Sequence, residues 1–273
     1  YSLGVVTRGA GSIPSYNCLH QLYHFETIFL RILAPDNYGI PDNTLRANLQ
    51  TAMISNFNIH FFAELNASVW NTGASQMSHA LYNLYTTINN MGFVDHDIIW
   101  ISVFLQQSWN PSVIANIRVL LSALQEIREW QLRPAIMTSS YDWTAITNNL
   151  IGAGSDLRLC YSSIFPGGLS GPAPPNFEDF VPFADFYLPD AKEYASGMEQ
   201  CGLSLSYIAY PDGSPGYSYA FASYGAGSVD TFDCIKHWQK VETAFVRAYT
   251  PDSGGSLDPN LANNVHAAEQ SGY

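Results

Sequence analysis

Few side chains in this chain are placed to move protons, and the best-placed carboxylates stand at strand ends. Glu64 falls near the end of the apolar run Asn58–Leu65, and Asp36 follows the run Thr27–Leu33. Carboxyl groups so placed could protonate a leaving oxygen or stabilise a cation-like transition state. That chemistry takes two acids, or one acid and an assisting substrate group. Neither has a partner that spacing can place, so Glu64 is only a fallback acid and a solvated strand end is the plainer expectation for it. A second chemistry is stacking on sugar rings. Trp109 and Trp143, after the fourth and fifth strand-like runs, and Tyr141 beside them are the candidates for binding a glycan, whereas Trp100 lies within an apolar strand and is expected in the core. The seven His are scattered and the four Cys form no CxxC pair or Cys/His cluster, so no metal or cofactor is expected. Asn66-Ala67-Ser68 is a glycosylation sequon; Asn110-Pro111-Ser112 is not, because Pro fills its middle position.

Charged residues make up 12% of the 273, against a usual ~25%, and the net charge is −12. An acidic chain of this kind has no electrostatic footprint for nucleic acid and is repelled by anionic membranes. No apolar run approaches the ~18 residues of a membrane span. The first residues carry neither a basic nor an apolar leader region, so any signal peptide is expected to have gone already. Four cysteines, the sequon and few lysines fit secretion into an oxidising compartment.

The elements that would position such groups alternate. Strand-like runs at Ser2–Val6, Thr27–Leu33, Asn58–Leu65, Ile98–Leu105, Arg133–Thr138, Leu157–Ser163 and Leu203–Ala209 are separated by helical patterns at Ser15–Tyr23, Asp42–Asn56, Ala74–Met91, Pro111–Gln131 and Tyr141–Leu150. Asp42 reads as an N-cap and Pro111 as a first-turn proline. Val113, Ile117, Leu120, Leu121, Leu124 and Ile127 form one stripe. Phe165–Pro182 reads as a loop and Phe183–Leu188 as a further strand. Strand and helix in alternation predict parallel units and an α/β fold, an irregular β/α barrel that is helix-poor in its last third.

The chain also repeats itself. Set at an offset of 216 (217 − 1), Tyr1-Ser2 meets Tyr217-Ser218, Gly9-Ala10-Gly11-Ser12 meets Gly225-Ala226-Gly227-Ser228, and Cys18, Arg31 and Asp42 meet Cys234, Arg247 and Asp258. About a third of the paired positions are identical, far above chance. The expected organisation is a complete unit, 1–216, followed by the first strand-helix-strand-helix quarter of a second, 217–273. A quarter-barrel buries little apolar surface and exposes strand edges, so the expected partners are further tandem units or another copy joined through 217–273.

Several motifs in order resemble the lysozymes of glycoside hydrolase family 25, in particular the secreted nematode and amoeba type. Tyr1-Ser2-Leu3-Gly4-Val5 is similar to that group's Tyr-Ala-Val-Asp-Val start. Asn17-Cys18-Leu19 is similar to its Ser-Cys-Leu-Lys, and Ile99-Trp100-Ile101-Ser102-Val103-Phe104 to its Ile-Trp-Leu-Asp-Val-Glu. Pro134–Ser140 resembles the strand written Gly-Ile-Tyr-Thr-Ser. Pro189-Asp190-Ala191-Lys192-Glu193-Tyr194 resembles Pro-x-x-Lys-Gln-Tyr, and Cys201-Gly202 with Ser206 resembles Cys-Gly-x-x-Val-Asp. The resemblance implies a barrel that hydrolyses bacterial wall glycan with carboxylates at its C-terminal mouth. The positions matching those carboxylates are Gly4, Ser102, Phe104 and Ser206, with Ala220 opposite Gly4 in the partial copy. None can donate or accept a proton as a carboxyl does. The first and last strands of a closed barrel adjoin, so Cys18–Cys201 is the expected disulfide among the possible pairings; Cys234 is left free, or bonded to Cys160 or another chain. The expectation is a secreted, non-catalytic lysozyme-like protein with an assembly role. The alternatives are a glycan binder in the old cleft and a residual muramidase with relocated acids.

Overall fold

A computed structural model describes residues 2–35, 41–68, 72–91, 97–153, 157–164, 172–211, 219–223, 241–246 and 261–270. Asp36, Cys234 and the link 212–218 lie outside the described residues. The chain divides into two compact units, Tyr1–Pro211 and Asp212–Tyr273.

In the first unit eight strands close into a barrel in chain order. They are β1 Ser2–Thr7, β2 Thr27–Leu33, β3 Asn58–Glu64, β4 Ile98–Val103, β5 Arg133–Thr138, β6 Arg158–Ser162, β7 Ala191–Gln200 and β8 Leu203–Tyr210. β1 to β7 run parallel, and β8 lies antiparallel to both β7 and β1, closing the ring. Helices α1 Ile13–Tyr23, α2 Leu45–Ile54, α3 Gly73–Met91, α4 Val113–Glu129 and α5 Ser140–Thr147 occupy the first five crossovers. Ser12 and Ser139 cap α1 and α5 by accepting hydrogen bonds from Ser15 N and Asp142 N. The helices end on His24 and Asn148, both in the left-handed region.

Alternation along each strand makes two cores. One face sends Ile28, Leu30, Phe61, Ile99, Ile101 and Ile136 against the helices. The other sends Val6, Phe29, Phe62, Trp100, Met137, Cys160, Ala191 and Ile208 into the barrel. Trp100 is in the core, its indole N–H donating to His60 Nδ1 at 3.2 Å.

Four details differ from expectation. β7 is a strand beyond those expected: its run Ala-Lys-Glu-Tyr-Ala-Ser-Gly-Met-Glu-Gln is polar and carries a glycine, and its pairing with β8 makes it a strand. Phe183–Leu188 is no strand but holds one isolated bridge, Phe183 to Phe186. Those rings pack in sequence with Phe180. α2 starts at Leu45 with Thr44 at its N-cap; Asp42 stands two residues earlier, one carboxylate oxygen accepting from Thr44 N and the other from Arg31 Nε. On α4 the buried stripe runs through Asn116, Leu120, Ala123, Leu124 and Ile127, leaving Leu121 exposed, and Ser112 rather than Pro111 adjoins the helix start.

The second unit contains β9 Tyr219–Ser223, β10 Val241–Val246 and α6 Leu261–Gln270. β9 and β10 pair in parallel, with Ala220↔Thr243, Phe221↔Ala244, Ala222↔Phe245 and Ser223↔Val246. Subtracting 216 from each gives the β1–β2 register, Gly4↔Thr27, Val5↔Ile28, Val6↔Phe29 and Thr7↔Leu30. The same subtraction carries α6 onto α2, since 261 − 216 = 45 and 270 − 216 = 54.

Candidate functional site

The C-terminal ends of the barrel strands are where barrel enzymes keep their chemistry. Residues two beyond the apolar interior layer point the same way. At this mouth they are Arg8, Arg31, Glu64, Ser102, Ser162 and Glu193, with Ser206 on antiparallel β8.

Glu64 is not a solvated strand end. It is buried, its Oε1 accepting from Arg8 Nε at 2.8 Å and its Oε2 from Arg31 Nη1 at 2.9 Å. Arg31 also donates from Nε to Asp42 at 2.7 Å and from Nη2 to the Arg8 carbonyl at 3.0 Å. Burial pulls the Arg31 guanidinium down, but the bonds to Asp42 and Glu64 outweigh it and hold the group above its usual value. Two cations and two anions balance here, and both oxygens of Glu64 are spent.

Of the positions matched to family carboxylates, Gly4, Ser102 and Ser206 hold small groups in filled space, and Phe104 holds an apolar one. A side chain at Gly4 would begin 3.2 Å from Thr27 Cβ and 3.3 Å from the Tyr210 ring. Ser102 is buried, and Gln107 from the β4–α4 loop donates to its Oγ at 2.6 Å. Phe104 is held by its backbone, its N–H donating to Gln107 Oε1 and its carbonyl accepting from Trp109 Nε1. Ser206 is buried and donates to Ser196 Oγ at 3.2 Å. Ala220 lies in β9 at the place corresponding to Gly4.

One acid that sequence reasoning passed over stands at the mouth. Glu193 is buried, level with Ser162 across β6–β7. Burial pushes its carboxyl above the usual range, opposed by hydrogen bonds with Ser206 and Ser162 and by Arg8, while Asp142 adds to the rise. Its signal in the sequence was a Glu where the resembling motif has Gln. The signal for the Arg31–Asp42 pair was its return in the repeat as Arg247 and Asp258.

The aromatic candidates separate. Trp143 is fully buried, with its ring edge-on to Phe186 and its N–H on the Leu150 carbonyl, so it is not a sugar platform. Trp109 is half-buried against the core. Tyr141 is 74% exposed, and beside it Asp142 accepts from the N–H of Leu105, itself exposed. A separate polar groove of about 410 Å³ lies along α2 and α3, lined by residues including Asn43, Arg46, Asn83 and Asn90, with no aromatic face. Asn66 is buried. Its Nδ2 donates to the Pro35 carbonyl at 2.7 Å and its Oδ1 accepts from Ser68 N and Oγ, so the folded chain withholds the sequon nitrogen. Cys18 and Cys201 are joined, and Cys160 is a buried free thiol inside the barrel.

The family model described as lysozyme-like protein 1 matches residues 1–194 and again 213–273. The chain belongs to the lysozyme-like protein 1 family. Lysozyme-like protein 2 of Caenorhabditis elegans is 29% identical over 205 residues, covering 75% of this chain and 71% of that one. Counting factor 45-1 of Dictyostelium discoideum is 24% identical over 180 residues, 65% of this chain and 54% of that one. Among solved structures the chain is similar to the family GH25 lysozyme of Aspergillus fumigatus at a TM-score of 0.55 and 12% identity, over 77% of this chain and 95% of that one. The fold of this lysozyme-like chain is therefore that of the family 25 lysozymes. Among its described residues no helix is long and apolar enough to cross a membrane.

Proposed function

We propose that this lysozyme-like protein is secreted and non-catalytic, and serves an assembly role outside the cell. The observation that carries the proposal is the state of the mouth. Glu64, the acid best placed by sequence, is locked between Arg8 and Arg31, and Ser102, Phe104 and Ser206 stand where the resembling motifs have carboxylates. Glycoside cleavage requires an acid able to release a proton to the leaving oxygen; Glu64 has both oxygens committed to guanidinium donors, and Glu193, the other acid at the mouth, is buried at 4% exposure, away from where a leaving oxygen could reach it. The assembly role draws on the second unit, whose β9–β10 pair repeats the β1–β2 register. Strand edges of that kind recruit further strands, from tandem units or from another copy. A relative named as a counting factor fits a family whose members are not all named as lysozymes.

The experiment pairs turbidity of bacterial walls with light scattering across a concentration series. No clearing together with concentration-dependent growth in mass supports the proposal. Clearing that is lost on Glu64→Gln would show a residual muramidase with relocated acids instead. A second reading, glycan binding at the mouth, is favoured by the exposure of Tyr141; saturable binding of chitin or peptidoglycan fragments that Tyr141→Ala removes would establish it.

A further inference from the structure

The seam between α2 and α3 is polar, where packed helices ordinarily meet through apolar side chains. Gly73 lets α3 lie against the backbone of α4, where Ala74 N donates to Ser122 Oγ at 3.2 Å, and α3 meets α2 only lightly. The space left between α2 and α3 is the groove of about 410 Å³, within the range of small-molecule sites. Its α3 wall is a single stripe, Asn83, Thr86, Thr87 and Asn90, on one face of the helix. Asn43 and Arg46 stand on the α2 side.

The donors of this groove have no work inside the chain. Among the described residues, the side-chain amides of Asn43, Asn83 and Asn90 and the guanidinium of Arg46 make no hydrogen bond or ion pair. Thr86 Oγ1 donates to the Asn83 carbonyl at 2.9 Å, which leaves its lone pairs to accept. Nor does folding call for these groups. At the offset of 216 the second unit keeps Asp42, Leu45 and Asn48 as Asp258, Leu261 and Asn264, but it has Pro259 for Asn43 and Ala262 for Arg46. The residues that recur hold the turn together: Asp42 takes Arg31, Leu45 is buried, and Asn48 bonds to Gly9 and Gly11. The two that change are exposed in the groove.

The lining specifies an occupant. An amide offers a donor and an acceptor side by side, which suits the neighbouring hydroxyls of a sugar. Arg46 adds a planar fork of donors that takes a carboxylate through two parallel bonds. A dianion is less suited, because Asp42 lines the same groove and its negative charge, although paired with Arg31, opposes a second charge on the ligand.

We propose that the α2–α3 groove binds a sugar acid, its carboxylate on Arg46 and its hydroxyls on Asn43, Asn83 and Asn90. This site lies among the helices and is independent of what the barrel mouth does.

The test titrates the whole chain with glucuronate, glucose and acetate, by calorimetry and by the chemical shifts of labelled backbone amides. Glucuronate is expected to saturate and to shift amides of α2 and α3. Glucose and acetate, each lacking half of the contacts, should bind at least about tenfold more weakly. Arg46→Gln, at an exposed position, should fold as the parent does and bind glucuronate no better than glucose. Asn83→Ala should weaken both sugars. The proposal is overturned by any of three results: no saturable glucuronate binding, acetate competing as well as glucuronate, or an unchanged glucuronate affinity in Arg46→Gln. Tighter binding of a sugar phosphate than of glucuronate would overturn the choice of a carboxylate.

Discussion

Glu64 and Asp179 show how a carboxylate's neighbours decide what it does. Removing one charge from the Arg8–Glu64–Arg31–Asp42 set leaves the others mismatched. Without Glu64, Arg31 keeps Asp42 and the unmatched cation is Arg8, whose side chain is 40% exposed, so Glu64→Gln is expected to cost about 1.5–3 kcal/mol for the lost charged hydrogen bonds, read as a fall in the urea midpoint, with no change in wall clearing. Asp179 lies in the loop that precedes β7. Burial would raise its carboxyl, but hydrogen bonds from Lys192, Ser163 and Tyr161 outweigh burial and hold it at about 2. Lys192 is itself fully buried, its Nζ on Asp179 at 2.7 Å and on the Asn176 carbonyl at 2.9 Å. Because the folded value lies below the ordinary 3.8, this carboxylate stabilises the fold above that pH and the gain fades as pH falls toward about 2. An Asp179→Asn chain should lose that dependence in acid denaturation, converging with the parent at the acid end. Neither role could be read from the sequence, since Arg8, Arg31 and Lys192 reach these acids only once the strands and the loop before β7 have packed together.

At the scale of elements, two contacts tie distant segments. The Cys18–Cys201 disulfide spans 183 residues and joins α1 to the tight β7–β8 turn, where Cys201 and Gly202 have φ of 54° and 75°. Cys18→Ser with Cys201→Ser should lower stability by about 2–4 kcal/mol, measured against the parent with and without reductant. Gly73 opens α3 against α4, and a Cβ there would lie 1.8 Å from the Val119 carbonyl oxygen. Backbone cannot swing aside as a side chain can, so Gly73→Ala should cost about 3 kcal/mol, the upper part of the overpacking range, seen as a lower Tm. Strands with largely apolar runs, such as Thr27–Leu33 and Arg133–Thr138, are legible to the residue because both faces are covered. β7 is not, because a hairpin strand leaving the barrel needs no such run.

For the whole molecule, the first unit holds both cores and the complete ring of strands. A chain ending at Pro211 is expected to melt cooperatively, with a Tm within a few degrees of the parent by calorimetry, and to lose the concentration-dependent mass if β9 and β10 carry assembly. Loss of cooperative melting would mean that 212–273 is needed by the barrel. By itself the order of apolar runs, helical patterns and repeated residues determined the α/β barrel class and the offset of 216 between copies, because periodicity and self-similarity are local properties of a chain. Apart from the Cys18–Cys201 pair, expected from the closing of the ring, the tertiary structure alone decided which groups meet. It sealed Trp143 and Asn66 inside, spent Glu64 on two arginines, and set Glu193 among serines. Those outcomes depend on which strands become neighbours when the ring closes, and no spacing along the chain encodes the resulting distances.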